Sequence, residues 1–169
     1  MEIKLNAQNT VTGSETETYV AFRSAIPKPS NEDTHLRHIL RFYMARAMQK
    51  RREEKIYILP NLDIDGKKVQ VDVAAVSAGK YIFSICEPES VTPETEDILD
   101  TLRNVEGVEV IVVHSQYGHY GNVMNKFKEQ FETKKFHLLA VVPPPFDDVY
   151  EYDIWMFETT FHNVYEGST

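Results

Sequence analysis

The sequence predicts one α/β domain with a mixed sheet flanked by helices, and three observations carry that prediction. Short β-branched and apolar runs alternate with stretches of helical periodicity. The chain has 169 residues, a length that suits one domain. Its hydrophobic fraction of 42% and charged fraction of 26% are those of a chain that buries an ordinary core.

Residues 1–30 read as an N-terminal extension. A strand is expected over Glu17–Ile26, because the aromatic and β-branched run there has strand character. Pro27-Lys28-Pro29-Ser30 then interrupts regular structure and leads into the core, 31–145. A helix is expected from Glu32 to about Arg52. Asn31 or Ser30 would cap it, and Leu36, Ile39, Leu40, Tyr43 and Ala47 recur on its buried side.

Three strands follow as an antiparallel meander: Lys55–Leu59, Lys68–Val76 and Lys80–Cys86. Asp65-Gly66 and Ala78-Gly79 provide the turns. Thr92-Pro93-Glu94 opens a second helix, with Thr92 as cap and Pro93 in the first turn, and Gly107 follows its end. Val108–Val113 is apolar apart from Glu109, as expected of a strand buried on both faces. A third helix is expected over Gly121–Thr133 and a last core strand over Phe136–Val142, stopped by Pro143-Pro144-Pro145. Residues 146–169 are acidic and aromatic. They contain one further candidate strand, Tyr152–Thr160, and are expected to cover a sheet edge or to form a homodimer surface.

The formal net charge of −8 excludes a surface that is basic all over, the usual footprint of a nucleic-acid binder. The first helix is the most basic stretch, and Arg37, Arg41 and Lys50 are the candidate phosphate contacts; a solvated helix face is the plainer alternative. Cys86 is the single cysteine, so no disulfide forms within one chain and no zinc site of several cysteines is available. On an apolar strand it reads as core rather than nucleophile. No run approaches the roughly 20 apolar residues that span a bilayer, and MEIKLNAQNT lacks the pattern of a secretory signal. The expected address is therefore cytoplasmic, with no membrane partner.

The element order is helix, three-strand meander, helix, buried strand, helix, buried strand. With Val71-Asp72-Val73 and Ile85-Cys86-Glu87, it resembles the core of the restriction-endonuclease-like superfamily, the PD-(D/E)xK nucleases, over roughly residues 32–142. The resemblance implies a metal-dependent phosphodiesterase acting on nucleic acid. An aspartate on the second meander strand and an acidic residue on the third would hold Mg²⁺, and a lysine two positions on would serve the attacking water. Asp72 matches the first position, a lone acid in an otherwise apolar strand apart from Gln70. The third strand departs from the pattern. One register places Ser84 and Cys86 at the acid and lysine positions. The other places Ile85 and Glu87 there, keeping a carboxylate but not the lysine. Asp72 and Glu87 are thus the candidate catalytic and metal-binding pair. Glu32, Glu53 and Glu54 are further carboxylates at the first helix's ends, and His35 and His38 lie three apart on it.

A second candidate is the loop His114–Gly121, which follows a buried strand where α/β proteins often place sites. His114, Gln116, His119 and Tyr120 would serve a small anion there, with a polar loop as the plainer alternative. Three functions follow from these residues: a Mg²⁺-dependent nuclease, a catalytically inactive nuclease-fold module for protein or nucleic-acid interaction, or an unrelated anion-binding α/β protein.

Overall fold

The computed structural model describes residues 2–11, 19–27, 35–51, 55–115 and 120–141. The architecture is mixed α/β. Among the described residues one sheet has three strands in the order β1-β4-β5 and the other has six in the order β2-β3-β6-β7-β8-β9. The strands are β1 Ile3–Asn6, β2 Asn9–Val11, β3 Lys55–Ile58, β4 Asn61–Ile64, β5 Lys67–Gln70, β6 Val73–Ser77, β7 Lys80–Cys86, β8 Val108–His114 and β9 Phe136–Ala140. The helices are α1 Tyr19–Ala25, α2 His35–Lys50, α3 Pro93–Leu102, α4 Gly121–Lys126 and α5 Lys128–Glu132.

The smaller sheet is continuous with the larger one. Pairing of Asn6 with Asn61 and of Asn9 with Ile58 belongs to one unbroken antiparallel register. The same holds for Asn61 with Gln70 and Ile58 with Val73. One three-stranded ribbon therefore bends at 7–8, 59–60 and 71–72, and no residue is inserted. Leu59 takes a left-handed conformation (φ 49°) at the bend, immediately before Pro60, and its N–H donates to the Asp72 carbonyl at 2.8 Å. The bend changes which core a given side of the ribbon meets. Ile56 and Ile58 face one cluster, whereas Leu62 and Ile64 face the other. The expected strand Lys68–Val76 is thus β5 and β6, with Asp72 at the break between them.

Both tight turns form as the sequence predicts. Asp65-Gly66 and Ala78-Gly79 have positive φ at both central positions, the twist that suits a two-residue hairpin. Strands β6 and β7 are antiparallel, while β7, β8 and β9 run parallel, joined through α3 and through α4 and α5. Period-two alternation sends Ile82 and Cys86 to one face of the large sheet and Phe83 and Ile85 to the other. The first face is covered by α1 and α2, through Phe22, Leu40, Met44 and Met48. The second is covered by α3, α4 and the ribbon tip, through Leu99, Leu102, Val123 and Phe127.

Two sequence expectations change. Glu17–Ile26 was expected as a strand, but Tyr19–Ala25 is helical. Helical spacing puts Phe22 and Ile26 on one side, where both are buried. The Phe22 ring meets Phe42 edge-on, 4.9 Å between centroids. Tertiary packing overrides local β preference here. The helix expected over Gly121–Thr133 is broken at Phe127 (φ −114°, ψ 36°), which anchors the bend by packing edge-on against Phe136. Strand β7 and the Thr92-capped start of α3 fall where the sequence places them, and the Thr92 hydroxyl accepts from the Thr95 N–H at 3.4 Å. The acidic aromatic segment 146–169 lies outside the described residues, together with its expected role as a dimer surface.

Candidate functional site

At one end of the large sheet, β6 begins, β7 and β8 finish, and α3 and α4 start. Asp72 sits there, fully buried. A buried carboxylate must be compensated, and α2 supplies the compensation. Arg37 and Arg41, four residues apart, lie one above the other on that helix. Arg37 donates from Nε to Oδ1 and from Nη2 to Oδ2, both at 3.2 Å. Arg41 donates from Nε at 3.0 Å and from Nη2 at 2.9 Å, both to Oδ1. The Cys86 backbone N–H donates to Oδ2 at 2.7 Å. Five N–H donors thus converge on one carboxylate.

This arrangement changes the meaning of the basic helix. From His38 to Met48 every residue of α2 except half-buried Tyr43 is buried. The side chain of Arg41 is 2% exposed and that of Arg37 36%. Arg46 is also buried, bonded to Gln49 and lying over the Phe22 ring at 5.7 Å. Lys50 is exposed at the far end of the helix. The expected phosphate-facing stripe of Arg37, Arg41 and Lys50 therefore does not form one exposed surface. Arg41 points inward because Asp72 needs a counter-charge.

The structure also decides the register of β7. Cys86 belongs to the cluster under α2 and Ile85 to the opposite one. Ser84 and Cys86 therefore share the sheet face that α2 covers, which is the first of the two registers expected from the sequence. Neither is charged. The Ser84 hydroxyl is buried without a hydrogen-bond partner among the described residues. Burial raises the Cys86 thiol well above its usual range, with the Asp72 charge adding to the effect, so it stays protonated.

Glu87 lies just beyond the strand. One carboxylate oxygen accepts the Thr92 N–H at the start of α3. Its carboxyl is raised above the ordinary range, first by burial, with the Asp72 charge acting in the same direction. The two candidate carboxylates thus feel each other, yet each is committed to separate donors. The Mg²⁺ implied by the nuclease resemblance does not fit these residues as they stand. A hard cation takes oxygen ligands with free lone pairs, and the Asp72 oxygens already accept five N–H bonds. Among the described residues no group of three or more His, Cys, Asp or Glu side chains is placed to hold a metal.

The second candidate is only partly described. Gln116 and His119 lie outside the described residues, as do Glu32, Glu53, Glu54 and the side chain of His35. The rings of His114 and Tyr120 are 4.2 Å apart, and His114 Nδ1 is 2.9 Å from the Ser115 carbonyl. The Tyr120 hydroxyl donates to the Glu87 carbonyl at 2.5 Å. Its pKa is pushed up to about 12, first by burial and then by the Glu87 charge. Ser115 Oγ donates to the Pro88 carbonyl at 2.7 Å. These bonds tie the end of β8 to the end of β7, a structural use of both side chains.

Sequence reasoning passed over His137. It is 9% exposed on β9, and neither ring nitrogen has a hydrogen-bond partner among the described residues. Nε2 is 3.8 Å from Glu109 Oε2. Burial lowers its pKa below the ordinary value, partly offset by Glu109. A depressed histidine pKa means that the unfolded chain binds the proton better. Its contribution to stability is whole above the unfolded value near 6.5 and is lost as pH falls towards the folded value. We expect wild type to lose more stability than His137→Phe between about pH 7 and pH 5 in urea denaturation. Parallel curves for the two proteins would refute this.

No family model matches the chain, and no curated protein matches it. Among solved structures the chain is similar in part to that titled "Crystal structure of protein VC1899 from Vibrio cholerae", at 13% identity and a TM-score of 0.41. The match covers 72% of this chain and 32% of that one, so the chain spans about a third of that protein's length. Among the described residues no helix is long and apolar enough to cross a membrane.

Proposed function

We propose that this chain is a catalytically inactive relative of the restriction-endonuclease-like nucleases that works as a cytoplasmic protein-interaction module. One observation carries the reading. The carboxylate at the position of the family's first metal ligand is occupied by two arginines and a backbone amide. The meander β3-β6-β7, followed by α3 and the parallel strand β8, supports the kinship. Ser84 and Cys86 at the acid and lysine positions support inactivity, since neither supplies a second carboxylate or a cationic group. A protein partner is favoured over nucleic acid because Arg41 is buried and the net charge is −8. An acidic surface repels a polyanion.

The experiment is incubation of labelled single- and double-stranded DNA and RNA with wild type in Mg²⁺ or Mn²⁺, alongside Glu87→Gln. No metal-dependent cleavage and no salt-sensitive retention of any nucleic acid are expected. Cleavage by wild type that disappears in Glu87→Gln would overturn the proposal and restore the nuclease.

A further inference from the structure

Asp72 carries an arrangement that goes further than inactivity. The two arginines are not equivalent. Arg41 is buried, and its bonds to the carboxylate go to Oδ1, at 2.9 and 3.0 Å. Arg37 spans both carboxylate oxygens at 3.2 Å, and a third of its side chain meets solvent. Arg37 is therefore the solvent-side cover of the carboxylate, and Arg41 its inner counter-charge. The Ser84 hydroxyl, buried and unpartnered among the described residues, projects from the same face of β7 as Cys86, and the Ser84 carbonyl accepts the Asp72 N–H at 3.0 Å. A buried oxygen without a partner among the described residues thus lies one strand away from a carboxylate that is closed on its solvent side by one side chain.

We propose that Arg37 holds, as a tethered cation, the place at Asp72 that a divalent cation would otherwise take, so that the folded chain refuses metal and removal of Arg37 opens a site for one. The physical basis is competition for the same lone pairs. A guanidinium attached through the helix does not dissociate, and its two parallel N–H bonds match a carboxylate. A hard cation from solvent would have to displace both bonds, shed water and sit beside two fixed positive charges. With Arg37 gone, Oδ2 keeps only the Cys86 N–H, and the local charge falls by one. The ligands offered are then Asp72, Ser84 Oγ and water. The inference rests on the reading of Asp72 as the family's metal-ligand position, although its test needs no activity.

The test uses the full chain and Mn²⁺ alone as a paramagnetic probe, followed in the backbone amide NMR spectrum. The reporter is the Cys86 amide, whose N–H points at Asp72. Wild type is compared with Arg37→Ala and with Arg37→Gln, the second a milder change should the first unfold. In both variants the Cys86 signal should vanish near equimolar Mn²⁺, while in wild type it stays at full intensity. Broadening elsewhere from surface carboxylates is common to all three proteins and cancels. A Cys86 signal unaffected in both variants overturns the proposal, as does one already broadened in wild type. Failure here with no cleavage by wild type sinks this inference alone. Cleavage by wild type sinks the inactive reading itself.

Discussion

Replacing Asp72 with alanine should destabilise the protein by about 3–5 kcal/mol, the usual consequence of breaking a buried ion pair from one side. The loss does not come mainly from the attraction removed. Arg41 is 2% exposed and would remain charged, facing the space the carboxylate left, with the Cys86 N–H also unpaired. In a domain of this size each kcal/mol moves Tm by roughly 2–4 °C, so a drop of about 10 °C is expected. Urea denaturation of Asp72→Ala, Arg41→Met and the double variant separates the terms. The double variant should be less destabilised than the two single changes added together, because it removes both charges at once. A loss under about 1 kcal/mol for Asp72→Ala would mean that Arg41 finds solvent or another acceptor, and the cluster would not be the counter-charge device described above.

The same cluster marks how far the sequence could be read. A lone acid in an apolar strand announces that a cation is needed, and Asp72 stands out on that ground. The identity of the cation was legible only in part. Arg37 and Arg41 at four-residue spacing on a helix look like a surface stripe if the opposite side of the helix is taken as the buried one. The missing clue is that α2 is buried on nearly every side from His38 to Met48. Phe42, Met44, Ala45 and Met48 add to the predicted Leu40 and Ala47, which leaves no solvated side for Arg41. In a helix buried on nearly every side, a charged residue must pair inward, and the nearest lone acid is its partner.

Strands β1, β2 and β4 were not legible in the sequence, whereas β7 and its turn were, for a physical reason. Strand β7 alternates against two cores and its flanking turn needs positive φ, so composition and spacing both constrain it. By contrast, Tyr19–Ala25 is rich in residues that suit either state, and the choice is made by Phe22 docking on Phe42, a contact between segments far apart in sequence. The register of β7 had the same character. Period two allowed both alternatives, and only packing under α2 selected Ser84 and Cys86 over Ile85 and Glu87.

Phe127→Ala is the second large effect to expect, a loss of about 3–5 kcal/mol. Phe127 is fully buried at the break between α4 and α5, where its ring sits edge-on to Phe136 at 5.6 Å. The Arg103 guanidinium lies 4.6 Å from its centroid and Lys126 Nζ 5.4 Å, so the same ring receives two cations from the end of α3 and from its own neighbour. Deleting it opens a cavity where α3, the α4–α5 bend and β9 meet. It also removes the anchor that makes 121–133 bend rather than continue as one helix. Phe127→Leu should recover most of the loss, since it keeps most of the volume and gives up only the ring contacts. If the alanine and leucine variants are equally destabilised in urea, the ring contacts rather than the filled volume hold the bend. If neither loses more than about 1 kcal/mol, the segment repacks and Phe127 is not its anchor.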